Sequence, residues 1–228
     1  MAAVPAHRTR WPTGGQLVRG ILAPMRYVAL GDSYTIGTSV PVAERWPNQL
    51  VARLAAKAAV AGERPRLELV GNPAVNGFTS RDVIAVELPQ LERLGPETAS
   101  LLIGTNDVIQ GVGEAEYERN LDRILDAVAA RISMARFFGV TTPDYTVTPA
   151  GRDYGDPVVR SAQIRRYNAI FTRVLGRRNL PVVDIHDISV RGGEDRSLVA
   201  GDGLHPSGRQ YGLWVDRIEP VVRRLLEG

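Results

Sequence analysis

The amino-acid sequence predicts an α/β fold: a three-layer α/β/α sandwich around a five-stranded, doubly wound parallel sheet. Three observations lead there. Apolar runs of strand length alternate with stretches of helical period along most of the chain. Repeated strand–helix units demand a parallel sheet covered on both faces. The 228 residues, 44% of them hydrophobic, suffice for one sizeable core.

Each element follows from its own residues. Tyr27-Val28-Ala29-Leu30 reads as the first strand, and Glu44 to Val60 as a helix with Trp46, Leu50 and Leu54 four apart. Leu67 to Val70 is the second strand. Ser80 to Leu94 is helical in parts, opened by Thr79-x-x-Asp82, a capping-box pattern. Ala99 to Ile103 is the third strand. Glu114 to Ile132 is the clearest helix, with Tyr117, Leu121, Ile124, Leu125, Val128 and Ile132 on one face. Arg136 to Val140 is the fourth strand, Val158 to Leu175 a helix, and Pro181 to Ile185 the fifth strand. Ser207 to Leu226 closes the chain as a helix that Pro220 is expected to kink or split. Right-handed crossovers then leave a flavodoxin-like sandwich as the natural topology. Residues 1–24 are expected to be a disordered or dispensable extension, and residues 25–228 a single domain.

In such sheets, chemistry gathers beyond the carboxyl ends of the strands. The first strand is followed by Gly31-Asp32-Ser33, a turn that can offer both a hydroxyl and the serine's own N–H; alone it reads equally well as a polar turn. The second is followed by Gly71 to Thr79, in which Gly77 can present a bare backbone N–H to a ligand, or simply belong to a loop. After the third comes Gly104-Thr105-Asn106-Asp107, whose Asn106 amide is a neutral, directional donor suited to an oxyanion, or one more turn residue. Near the C-terminus stands Asp202-Gly203-Leu204-His205-Pro206, an acid able to fix the tautomer of a histidine three residues on.

Composition removes several classes of function. There is no cysteine, so disulfides, thiolate metal sites and a cysteine nucleophile are excluded. Formal net charge is only +3, and arginine is spread along the chain rather than clustered, which argues against nucleic-acid binding. No apolar run reaches the length of a membrane span, so no stable membrane insertion is expected. The patch from Leu17 to Leu22 is broken by Arg19 and makes a poor signal-peptide core; a cytoplasmic location is expected. Of three histidines, His7 lies in the N-terminal stretch and His186 sits between Asp184 and Asp187. A metal reading of that trio lacks a second histidine at ligand spacing, and no metal or cofactor is expected. His205 is the better base.

Each motif has a bland explanation, but their order at successive strand ends does not. The chain resembles the SGNH hydrolases, also called GDSL esterases or lipases, with Ser33, Gly77, Asn106 and His205 in the order of the four named blocks. Trp46-Pro47 and Leu50 resemble the bacterial arylesterase/lysophospholipase/thioesterase branch. Tyr34 departs from the Leu or Met found there in many relatives. The resemblance implies a serine carboxylic-ester hydrolase with Ser33, Asp202 and His205 as the triad, and Ser33, Gly77 and Asn106 as the oxyanion hole. Tyr34, Ile36, Val108 and Ile109 are expected to line the acyl side. Residues 141–157, with Tyr145 and Tyr154, should overhang the site as a lid, a specificity loop or a plain linker. Few aromatic residues point to a small pocket and short acyl chains, from acetyl to hexanoyl. Carbohydrate O-deacetylation, which would call for sugar-stacking aromatic residues that Trp11, Trp46 and Trp214 do not obviously supply, and thioester or lysophospholipid cleavage use the same machinery. A non-enzymatic, flavodoxin-like small-molecule binder would need a phosphate-cradling first loop, where this chain places Asp32.

Overall fold

The computed structural model describes residues 23–63 and 66–227. The expectation for residues 1–24, and with it Trp11 and His7, falls almost wholly outside these residues. Five strands, β1 (Met25–Gly31), β2 (Leu67–Gly71), β3 (Thr98–Leu102), β4 (Phe137–Val140) and β5 (Val182–Val183), pair in parallel in the order β2-β1-β3-β4-β5. This is the doubly wound order predicted from the sequence, with a switch point between β1 and β3. The helices are α1 (Ser33–Ile36), α2 (Trp46–Val60), α3 (Ser80–Asp82), α4 (Gln90–Leu94), α5 (Thr105–Gln110), α6 (Glu114–Ala129), α7 (Pro157–Gly176), α8 (His186–Val190) and α9 (Gly208–Glu227).

Alternation along the strands divides the core. Val28 and Leu30 of β1, with Leu101 and Phe137, pack against Val83, Leu121, Ile124 and Phe171 on one face. Tyr27 and Ala29, with Leu102 and Phe138, pack against Trp46, Leu50, Trp214 and Ile218 on the other. Thus α6 and α7 cover one side of the sheet, and α2 and α9 the other. Three arginines line the seam between α6 and the end of α7, where Arg173, Arg177 and Arg178 pair with Glu118, Asp122 and Asp126. Lys57 of α2, the only lysine in the chain, pairs with the buried Glu219 of α9 at 2.6 Å.

Two expectations need correction, and one stretch holds an unforeseen feature. Pro220 does not split the last helix: α9 runs through it, because its ring lies on the exposed side, where a missing N–H costs least. The fifth strand is two residues long rather than five. Asp184 ends it by accepting from the Thr141 hydroxyl at 2.9 Å and the His186 N–H at 3.0 Å, which turns the chain into α8. Between α3 and α4 the helix widens into a π-helical turn, Val83–Glu87. Such turns are frequent at functional sites, and this one carries Glu87 under β1.

Candidate active site

The carboxyl end of β1 delivers Gly31 at φ 154°. A Cβ there would collide with the Leu102 carbonyl and the Thr35 hydroxyl, so only glycine lets β1 pass this close to β3. Asp32 caps α1, its Oδ1 accepting the Tyr34 N–H at 3.0 Å. Ser33 is therefore the first residue of a helix, where backbone N–H groups lack intrahelical partners. Among the described residues the Ser33 and Gly77 N–H groups make no hydrogen bond, as an oxyanion hole requires. Gly77 has φ 83° and open space where a Cβ would stand. The Asp32 carboxylate is buried and occupies the helix N-terminus itself. It thereby removes the phosphate cradle that a flavodoxin-like binder would use.

Asn106 stands in the first turn of α5. Its Nδ2 donates to the Phe78 carbonyl at 3.0 Å and lies 3.5 Å from Asp32 Oδ2. The next residue, Asp107, is fully buried and accepts from the Ser80 N–H and the Ser80 hydroxyl, the latter at 2.5 Å. This anchor between α5 and α3 fixes the helix from which Asn106 projects.

His205 and Asp202 share one turn. His205 Nδ1 lies 2.6 Å from Asp202 Oδ2, while Asp202 Oδ1 accepts the Leu204 and His205 N–H groups at 2.9 and 3.0 Å. Burial by itself would push the Asp202 carboxyl up. The hydrogen bonds from Ser39, Leu204 and His205 outweigh it and hold the group well below the usual carboxylate range. Tyr34 packs its ring on the His205 imidazole, with centroids 5.3 Å apart. No hydrogen bond joins the Ser33 hydroxyl to the His205 ring among the described residues; in hydrolases such bonds often tighten only with substrate in place.

Ser33, Gly77, Asn106 and His205 line one cavity of about 310 Å³, together with Tyr34, Ile109, Gln110, Tyr145, Tyr154 and Leu204. Two expected pocket residues lie elsewhere. Val108 points into the core, since one residue along α5 is a turn of about 100° from Ile109. Ile36 lines a neighbouring groove with Ser39, Arg45 and Asn76. Residues 141–157 form a packed wall. Thr142 exchanges two hydrogen bonds with the Asn168 amide at 2.8 and 2.9 Å, and its hydroxyl bonds that of Thr105. Asp144, also buried, accepts from Ser161 and Thr146 and lies 3.6 Å from His186 Nε2. The aspartates beside His186 are engaged too, Asp184 by Thr141 and Asp187 by Arg217. Trp46 and Trp214 are buried in the core, away from the cavity.

Behind the Ser33 turn lie two buried acids that the motifs do not explain in full. Burial raises Asp32 to about 8, against the pull of the Tyr34 N–H and with help from Asp107. Burial likewise pushes Glu87 well up, although its Oε2 accepts the Gly31 N–H at 3.0 Å. Glu87 had one sequence signal, an acid inside the apolar run Val83 to Leu88. Ser39 and Ser80 had none.

A family model described as GDSL-like lipase/acylhydrolase matches residues 29–213. The chain belongs to that family. No curated protein matches it by sequence. Among solved structures, the GDSL-like chain is similar to LAE5, an alpha/beta hydrolase enzyme from the metagenome of Lake Arreo, Spain. The two are 23% identical over 89% of this chain and 97% of the other, with a TM-score of 0.69. It is also similar to a single-residue variant of Axe2, an acetyl xylan esterase from Geobacillus stearothermophilus (17% identity, 89% and 94% coverage, TM-score 0.66). A third likeness is to the psychrotrophic esterase EstA from Pseudoalteromonas sp. (19% identity, 89% and 99% coverage, TM-score 0.61). These likenesses carry the α/β fold of the family.

Proposed function

We propose that this GDSL-like chain is a serine carboxylic-ester hydrolase that acts on short-chain acyl esters through an acyl-enzyme intermediate. One observation carries the reading: Ser33, Gly77, Asn106 and His205 meet on the wall of one small cavity, with Asp202 bonded to the outer nitrogen of His205. Ser33 Oγ attacks the ester carbonyl while His205 takes its proton. The oxyanion that forms is held by the Ser33 and Gly77 N–H groups and the Asn106 amide. His205 then hands the proton to the leaving alcohol, and water repeats the sequence on the acyl-Ser33 ester. A cavity of about 310 Å³ sits at the small end for ligand sites, which favours acetyl to hexanoyl groups. The test pairs fluorophosphonate labelling with a p-nitrophenyl ester series. Label on Ser33 and a rate maximum at or below the hexanoyl ester are expected. Wild-type turnover of p-nitrophenyl acetate by Ser33→Ala would sink the reading.

A second reading, carbohydrate O-deacetylation, gains from the cavity wall. Tyr34, Tyr145 and Tyr154 supply aromatic faces there, and the buried Tyr145 hydroxyl has no protein partner among the described residues. The structural likeness to an acetyl xylan esterase points the same way. Acetylated sugars with a kcat/KM well above that of ethyl acetate would select it; the reverse order would reject it.

A further inference from the structure

The candidate triad acid lies at the rim of the site. The Asp202 side chain is about 30% exposed, and four hydrogen bonds fix its carboxylate. Oδ1 takes two backbone N–H groups from its own turn. Oδ2 takes His205 Nδ1 and, at 2.6 Å, the Ser39 hydroxyl. Ser39 is the one partner that comes from elsewhere, from the loop that follows the nucleophile helix α1.

Its backbone is equally telling. Ser39 has φ 65°, and Asn179 is the only other non-glycine residue with positive φ among the described residues. Asparagine tolerates that region; serine is strained there, and such conformations persist mainly at functional positions. Ser39 is itself exposed, so burial of its side chain does not offset the strain. Thr38, its neighbour, bonds the Asn76 side chain and ties the same loop to the Gly77 segment.

We infer that Ser39 is a positioning residue of the hydrolytic site: its hydroxyl tethers Asp202 to the Ser33 loop and so sets His205 against the nucleophile. The inference rests on the ester-hydrolase reading above. The tether joins two segments 163 residues apart, the nucleophile turn and the acid–base turn, at the oxygen that orients the imidazole. Of the hydrogen bonds that hold the Asp202 carboxyl down against burial, the one from Ser39 has the largest effect.

The test separates positioning from structure by making the two effects run in opposite directions. Ser39→Gly removes the hydroxyl and relieves the backbone, so it should raise Tm by about 1–3 °C while lowering kcat roughly tenfold. KM should stay within about twofold, because the tether acts on the geometry of the base and not on ground-state binding. Ser39→Thr restores the hydroxyl at greater backbone strain, and should recover kcat with a lowered Tm. Fluorophosphonate labelling of Ser33 in wild type and variants is the control. A Ser39→Gly protein that labels at Ser33 and keeps wild-type kcat overturns the role of Ser39 alone. Wild-type protein that fails to label at Ser33 overturns the ester-hydrolase reading, and this inference with it.

Discussion

His205 Nδ1 lies 2.6 Å from Asp202 Oδ2, inside a turn whose other carboxylate oxygen already binds the His205 N–H at 3.0 Å. The proposed base and its orienter thus arrive as one preformed unit, three residues apart. Asp202→Asn would keep the turn but present an amide, which can bind the wrong tautomer of the ring. A loss of roughly 10³–10⁴ in kcat is expected, with an unchanged circular dichroism spectrum. A loss under about tenfold would show that Asp202 does not orient the base.

Asn106 is held by the Phe78 carbonyl, so its amide cannot swing away from the cavity. Asn106→Ala should cost about 10²–10³ in kcat with little change in KM, because the donor acts on charge that appears only in the transition state. A variant that raised KM and spared kcat would place Asn106 in ground-state binding instead.

Asp32 sets a pH dependence whose sign can be worked out. Burial raises its carboxyl from 3.8 to about 8, so between these values the folded chain holds a proton that the unfolded chain has released. The contribution of this group to stability therefore falls as pH rises through that window, and Asp107, raised by burial to about 6, adds the same sign in the lower part of it. Above about pH 8 the Asp32 carboxylate also competes for the Asn106 amide, 3.5 Å away. Melting curves should show Asp32→Asn losing less stability than wild type between about pH 4 and 8, and its kcat should resist alkaline pH. Parallel pH profiles for the two proteins would refute this account.

The Asp144–His186 pair braces the wall that carries Tyr145. Burial would raise the Asp144 carboxyl, but His186, Ser161 and Thr146 together hold it down at about 2; the Asp144 partner in turn raises His186. The Asp144 contribution is present above its ordinary value of 3.8 and fades towards pH 2. That of His186 is complete below 6.5 and fades as pH rises past its raised value. Hydrogen exchange of residues 144–156, corrected for intrinsic rates, should be slowest from about pH 4 to 6.5, and His186→Ala should abolish the rise above that range. Equal protection in both proteins would mean that the brace carries no weight.

How much was legible depended on where each contact partner lies in the chain. The strands could be read because parallel strands buried on both faces are plain apolar runs, such as Tyr27 to Leu30. The helices α5 and α8 were not, since both open on polar residues, Thr105-Asn106-Asp107 and His186-Asp187, that suit a turn equally well. Their helicity is secured from outside, as by Ser80 on Asp107. In the site, Asp202 and His205 were readable as a local pair. Ser39 and Glu87 were not, because their partners lie 163 and 56 residues away. Val108 was misplaced because the onset of α5, not the composition of the segment, decides which neighbour turns towards the cavity.

The pairing of Lys57 with Glu219 has a practical side. Lys57 carries the only side-chain amine in the sequence, half-exposed, on the half of α2 that leads back to the start of β2. That is the end of the sheet opposite the strand termini where the cavity opens. Amine-reactive chemistry thus meets one ε-amino handle, remote from the cavity. Coupling through it would present the molecule with its mouth outwards, while uncoupling the buried Glu219 from its cation.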